Sequence, residues 1–252
     1  MLLSGAHRVL FIHAHPDDET LATGAMIANL VADGVEVDLV TCTRGERGEV
    51  VPGVLPADIS AEALAFHRDE ELRAAYGHLG VRVHAYLGTP PASRDGAQRE
   101  YEDSGMQWLR PGMAGPAEDV SDKAFSLQSF DELVDDLLAF IAAHEPEVLL
   151  SYDSAGSYGH PDHVRAHDIT KAAAARAGLP FLEFIPWHDD RDINATGVDW
   201  ADYTEQLPAV LAAHDSHRTQ FTRDGDDITH VGGQRQKLVT RVGLRRIAAE
   251  GA

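Results

Sequence analysis

Cysteine is almost missing from this sequence of 252 residues. Cys42 stands alone, so no internal disulfide can form and the chain suits a reducing compartment, with the cytoplasm as the expected location. Long charge-free apolar runs are also missing, so no membrane-spanning helix is expected. The opening Met1–Ala6 is too short, and too poor in basic residues, to read as a secretory signal. Basic side chains are scarce, 21 against 41 acidic ones, for a formal net charge of −20. Such a field repels phosphate backbones and anionic membranes, which disfavours nucleic acid and membrane partners. It tolerates a cationic cofactor, and it leaves a homo-oligomer open.

What is present suits one sizeable core, because 44% of the residues are hydrophobic. The chain is organised around residues 8–19. Val9, Leu10, Phe11 and Ile12 are too continuous for a half-exposed strand and too few for a helix, so they read as a strand buried on both faces. His13 and His15 then alternate onto one side, and Pro16 makes further ladder pairing unfavourable, which places a turn at His15–Asp18. Two adjacent carboxylates, Asp17 and Asp18, are costly in a dry crevice unless a cation or a proton offsets one of them. A divalent metal does so: one aspartate serves as ligand and its neighbour is free to take a proton from water. Helix capping by Asp17 or Asp18 is the plainer alternative, and it leaves His15 unexplained. His13 lies within the buried run and reads as a hydrogen-bonded core histidine; Cys42 reads as inert packing.

Beyond this corner the pattern alternates. Helices are expected at Thr20–Ala32, Glu62–Leu79, Leu127–His144 and Val164–Ala177, and strands at Val35–Thr41, Val81–Leu87, Val148–Tyr152 and Phe181–Pro186. This predicts an α/β fold, a Rossmann-like open and mostly parallel sheet with helices on both faces, any metal site lying at the carboxyl ends of the strands. Residues 1–180 form the expected catalytic core, with a long irregular substrate-covering loop at 88–126, and 181–252 an extension completing the same domain and part of the pocket. In that extension, the cluster His188–Asp192 reads as a solvated loop, Asp189–Tyr203 as an acidic loop, Thr204–Phe221 as a helix and Val239–Ala249 as a last helix. The loop Thr43–Pro56 either lines a polar pocket or is a solvated connection. Arg68 and Glu71, three apart on one helix, read as a surface ion pair unless that helix end faces the crevice.

A second cluster, Asp153–His163, repeats the form of the first: strand end, glycine turn, then histidine and aspartate. His160 and His163 lie three apart at a helix start, where both can face one point. His, Asp and His around an open position suit catalytic zinc, and equally a non-haem iron centre with Fe2+.

His15-Pro-Asp-Asp-Glu19 together with Ser157-Tyr-Gly-His-Pro-Asp-His163 resembles the PIG-L/LmbE-like family of zinc-dependent N-deacetylases, with a weaker echo at His217-Arg-Thr-Gln220. The resemblance is strongest to the mycothiol branch, which includes deacetylases of N-acetylglucosaminyl-inositol and mycothiol S-conjugate amidases. It is carried there by Thr41-Cys-Thr, Gly45-Glu-Arg-Gly-Glu49, Arg68 with Glu71-Leu72, Tyr86-Leu-Gly88 and Asp103-Ser-Gly-Met106. It implies that His15, Asp18 and His163 hold Zn2+, and that Asp17 is the general base. His160 and Tyr158 would steady the developing oxyanion, Asp162 would orient His160 or His163, and Arg68, Asp103, Met106 and Glu49 would meet the substrate. The expected substrate is a small N-acetylated amino sugar. An iron oxygenase and a non-catalytic metal- or nucleotide-binding module are the competing classes; the latter is disfavoured because no Gly-x-Gly-x-x-Gly follows the first strand.

Overall fold

The computed structural model describes residues 2–186 and 196–248. In chain order its elements are β1 (Arg8–His13), α1 (Asp18–Ala32), β2 (Glu36–Thr41), α2 (Ala61–Leu79), β3 (Val83–Tyr86), β4 (Met106–Arg110), β5 (Met113–Pro116), α3 (Phe130–His144), β6 (Val148–Ser151), α4 (Gly156–Gly159), α5 (Pro161–Ala177), β7 (Phe181–Pro186), β8 (Asp199–Asp202), α6 (Leu207–His214), β9 (Phe221–Asp224), β10 (Asp227–His230), β11 (Arg235–Lys237) and β12 (Arg241–Ile247).

Seven strands form the main sheet in the order β3-β2-β1-β6-β7-β12-β8. The first five run parallel, and β12 is antiparallel to both of its neighbours. From β1 the chain winds one way through β2 to β3, and β6 to β7 lie on the other side. The carboxyl ends of β1 and β6 therefore meet at a topological switch point, where open parallel sheets bind their ligands. The two histidine clusters are neighbours for this reason and not through a single crossover. Helices α1, α2 and α6 pack together on one face, and α3 with α5 on the other.

Local chemistry accounts for the element ends. Ser60 Oγ accepts the Ala63 N–H at the start of α2, and Gly80 closes that helix in the left-handed region. Val9, Leu10, Phe11 and Ile12 of β1 are fully buried between the two helical layers, as a strand covered on both faces requires. Removing the Phe11 ring leaves a cavity no neighbour can fill without moving the sheet. Phe11→Ala is expected to cost about 3–5 kcal/mol of unfolding free energy, read by urea titration; a loss under about 1 kcal/mol would place β1 outside the core.

The last third departs from expectation. Val239–Ala249 is not a helix: Arg241–Ile247 is β12, hydrogen-bonded on both sides. Its Val242 and Leu244 are buried and alternate with Arg241 and Arg245, a period of two that the basic side chains obscure. Glu183 of β7 anchors it, accepting from Arg245 Nε at 2.7 Å while lying 3.1 Å from His167 Nε2 of α5. Thr204–Phe221 is helical only over Leu207–His214, after one 3-10 turn, and Phe221 opens β9. Within the supposed acidic loop, Asp199–Asp202 pairs with β12 as β8; His188–Asp192 lies outside the described residues. The 88–126 stretch holds the hairpin β4–β5, turned at Pro111-Gly112 with Gly112 at φ 76°, a dipeptide suited to that corner. No described helix is long and apolar enough to cross a membrane.

Candidate functional site

β1 delivers His15 and the turn after it, and β6 delivers the segment ending in α5. The His15 ring centroid lies 4.6 Å from that of His160 and 5.4 Å from that of His163. All three are buried. Two overlapping groups among the described residues bring ligand atoms within 4.8 Å of one another: His15, His160 and His163, and His15, Asp103, His160 and Asp162.

Asp18 sits between the two strand ends. Its Oδ2 accepts the His15 N–H at 3.0 Å and the Tyr152 hydroxyl at 2.7 Å, and lies 3.3 Å from both His15 Nδ1 and His163 Nε2. Separations of about 3.3 Å are the edges of a tetrahedron whose ligands stand about 2.0–2.1 Å from one ion, the zinc distances. Both ring nitrogens of His163 are buried without a hydrogen bond. Burial raises the Asp18 carboxyl, but His163 and His15 beside it outweigh that and hold it well below the usual range. Burial lowers His15, and Asp103, Asp162 and Asp18 more than reverse it. Three carboxylates, Asp18, Asp103 and Asp162, thus crowd a buried crevice whose chemistry calls for a cation. The residues fit a divalent metal.

The Asp162 side chain meets His15 and not His160 or His163. Its Oδ2 lies 3.2 Å from His15 Nε2 and accepts the Ser104 N–H at 2.9 Å, while Ser104 Oγ donates to its other oxygen. Such a carboxylate fixes an imidazole's tautomer and leaves the opposite nitrogen for a metal. The backbone N–H of Asp162 donates to His160 Nδ1 at 3.1 Å, so a neutral His160 carries its proton on Nε2. Burial, with His15 and His163 nearby, pushes His160 down to about 2, so it is neutral near pH 7. Burial raises the Tyr158 phenol, which stays a donor.

Asp17 differs from its neighbour in every respect. It precedes α1 with φ 98° and ψ −30°, and its side chain caps nothing. A non-glycine residue in that region costs about 1–3 kcal/mol and marks a site held by its surroundings. Arg68 Nη2 lies 3.2 Å from Asp17 Oδ2. Burial raises the Asp17 carboxyl; Arg68 and His217 pull it down, Asp18 and Glu19 push it up, and it settles at about 7.

Arg68 is therefore no surface partner of Glu71. It is buried, donating through Nη1 to the Gly45 carbonyl at 2.5 Å and through Nη2 to the Pro16 carbonyl. Gly45 permits this approach, since a Cβ there would stand 2.2 Å from Nη1. Glu71 instead accepts from Thr219 N and Oγ1. Asp103 is buried and 3.6 Å from His15 Nε2; burial opposes its ionisation, but His15 and His160 hold it low. Met106 is half-buried at the start of the hairpin, whose half-exposed Trp108 ring lies 5.7 Å from Tyr158. Glu49 is exposed and not brought to the cluster; Glu46 is there, accepting the Asp103 N–H at 2.7 Å.

His13 is a core histidine, fully buried, with Nε2 3.0 Å from Thr23 Oγ1. Cys42 is buried too, which pushes its thiol up and keeps it inert. Sequence reading missed Tyr152, Ser104 and Glu46. The first was signalled by its place at the carboxyl end of the strand beside β1, and the second by standing in the Asp103–Met106 run.

Comparison with known proteins agrees with this geometry. The PIG-L family model, described as GlcNAc-PI de-N-acetylase, matches residues 10–174. The 1D-myo-inositol 2-acetamido-2-deoxy-alpha-D-glucopyranoside deacetylase of Actinosynnema mirum is 40% identical over 255 residues, covering 88% of this chain and 83% of its own. N,N'-diacetylchitobiose deacetylase from Pyrococcus horikoshii superposes with a TM-score of 0.60 at 21% identity, over 86% of this chain and 71% of that one. GalB, a 4-carboxy-2-hydroxymuconate hydratase from Pseudomonas putida KT2440, does so with 0.59 at 18%, over 97% and 98%. At such identities the likeness shows the fold alone, and that fold serves a deacetylase and a hydratase alike. The matched family model, which spans both histidine clusters, and the 40% identical relative decide what the fold leaves open: the chain belongs to the PIG-L family of de-N-acetylases.

Proposed function

We propose that this protein is a zinc-dependent N-deacetylase that removes the acetyl group from N-acetylglucosaminyl-inositol, with His15, Asp18 and His163 as metal ligands and Asp17 as general base. The observation that carries the reading is the split between two adjacent carboxylates. Asp18 Oδ2 lies 3.3 Å from both His15 Nδ1 and His163 Nε2, whereas Asp17, its backbone at φ 98°, is turned to Arg68 at 3.2 Å, and burial raises its carboxyl toward the range where a base is most effective. Zinc, when bound, supplies Lewis acidity toward water and a carbonyl oxygen at neutral pH.

Asp17 takes the proton of the attacking water as its oxygen bonds to the acetyl carbon. The Tyr158 hydroxyl and His160 Nε2–H donate to the former carbonyl oxygen as it gains charge. The C–N bond then breaks, and the nitrogen leaves as an amine with the proton Asp17 held, releasing acetate. Asp103 and Met106 face the sugar in this reading, Glu46 replaces Glu49 beside them, and Trp108 walls the mouth. Arg68, its guanidinium turned inward, serves Asp17 in place of substrate hydroxyls. The reaction belongs in a reducing cytoplasm, where Cys42 remains a thiol.

The acid side of the pH profile follows from Asp17. Below its pKa the carboxyl keeps its proton and the base is lost, so kcat/KM rises with pH and levels off once Asp17 ionises. A neighbouring cation lowers that value, so the limb is expected at or below about 7. A profile without an acid limb, or one still rising above about pH 8, would remove Asp17 from the role.

The substrate is tested by release of primary amine from N-acetylglucosaminyl-inositol, mycothiol S-conjugates and chitin fragments, with and without added zinc. The first is expected to react fastest, and only with metal. Faster cleavage of the conjugates would make the protein an amidase of that branch.

A further inference from the structure

Glu19 is a fully buried carboxylate that the chemistry above uses neither as metal ligand nor as base nor as donor. Its Oε2 accepts the backbone N–H of Asp17 at 2.9 Å. Its Oε1 accepts the Thr20 hydroxyl at 2.5 Å and lies 2.7 Å from His217 Nε2, which donates to it. His217 is itself fully buried and comes from the turn after α6, 198 residues further along the chain. The same turn is docked on α2, because Thr219 donates its N–H and hydroxyl to Glu71.

A glutamate reaching back to the start of its own helix is ordinary capping, and capping alone would need nothing from the far end of the chain. The residue being held is the unusual one. Asp17 carries a left-handed backbone without being glycine, and that torsion directs its carboxylate toward Arg68 while Asp18, next in sequence, faces the histidines. On the opposite side Arg68 donates to the Pro16 carbonyl. The peptide before Asp17 is thus gripped at both ends, its N–H by Glu19 and its C=O by Arg68. Without the first grip it can turn over, relaxing Asp17 into the right-handed region and withdrawing the carboxylate.

We propose that Glu19, pinned by His217, is the positioning residue of the general base: it holds the Asp17 backbone in the conformation that separates the base from the metal-facing aspartate, and so gives the C-terminal segment a part in turnover. The proposal rests on the deacetylase reading. Glu19→Ala is expected to lower kcat about 100-fold, the scale on which small misplacements of a reacting group act. KM should stay within about twofold of the parent and metal content unchanged, since neither substrate binding nor the ligand set is touched. Glu19→Gln keeps an acceptor for the Asp17 N–H and should recover most of the loss. His217→Ala should cost about 10-fold in kcat, and the double variant Glu19→Ala/His217→Ala no more than Glu19→Ala alone, because both act through one contact.

Hydrogen exchange of the Asp17 amide supplies a readout independent of activity. Exchange at least about tenfold faster in Glu19→Ala than in the parent, with Glu19→Gln near the parent, supports the proposal. Unchanged kcat, loss of metal together with kcat, a loss matching only the unfolded fraction at the assay temperature, or unchanged exchange overturns it. If Glu19→Ala does not fold, His217→Ala is judged by the same criteria. A parent that releases no amine from any N-acetyl substrate sinks the deacetylase reading instead, and the exchange rates still decide whether Glu19 holds Asp17.

Discussion

Asp17→Asn is expected to lower kcat for amine release by about 100- to 10,000-fold, the usual contribution of a general base, while one metal ion per chain is retained. Asparagine is the informative replacement. It has nearly the shape of aspartate and tolerates left-handed torsions better than most residues, so the backbone at φ 98° has little reason to move. The amide cannot accept a proton from water, and this is the property under test. The interaction lost is the charge opposite Arg68, whose bonds to the Pro16 and Gly45 carbonyls persist. Kinetics and metal analysis on the same preparation check the prediction. A variant that loses its metal would make Asp17 a ligand and exchange the roles of the two aspartates.

The companion change, Asp18→Asn, is expected to act through the metal. Its Oδ2 lies 3.3 Å from both His15 Nδ1 and His163 Nε2, and it also takes the Tyr152 hydroxyl and the His15 N–H. Asparagine can satisfy the last two but brings no charge to a centre that a divalent ion would share with neutral imidazoles. Metal affinity should fall by more than about 100-fold, beyond what loss of an outer partner costs, and turnover should fall with it and return in part with excess metal. Retention of metal at parental affinity, measured by competition with a chelator, would contradict the assignment. Both variants neutralise one carboxylate, yet one should spare the metal and the other the base. That contrast is sharper than either result alone.

How far the site was legible in sequence depended on how local its causes are. The β1 run and the motif behind it could be read because a four-residue apolar stretch, a proline and an acidic pair each act within a few residues. The same holds for His160 and His163, which share the first turn of α5. Contacts made across the chain could not be read. Nothing near Arg68 signals that α2 turns it inward onto Pro16, and nothing near Glu19 points to His217. The left-handed backbone at Asp17 has no composition signal, because aspartate there is an exception held by its neighbours. Strand β12 departs from expectation for a related reason: an antiparallel strand between two others needs only a few buried residues, and its arginines, among them Arg245 on Glu183 and Arg241 over the Trp200 ring, mask the alternation. Fold by itself would have misled as well, since a hydratase shares it.

Anomalous X-ray diffraction at the zinc edge, from crystals of the protein grown with zinc, tests the metal assignment most directly. One peak is predicted about 2.0–2.2 Å from His15 Nδ1, Asp18 Oδ2 and His163 Nε2 together, with Asp17 outside bonding distance. A peak centred instead among His15, Asp103, His160 and Asp162, or one that Asp17 ligates, would contradict it.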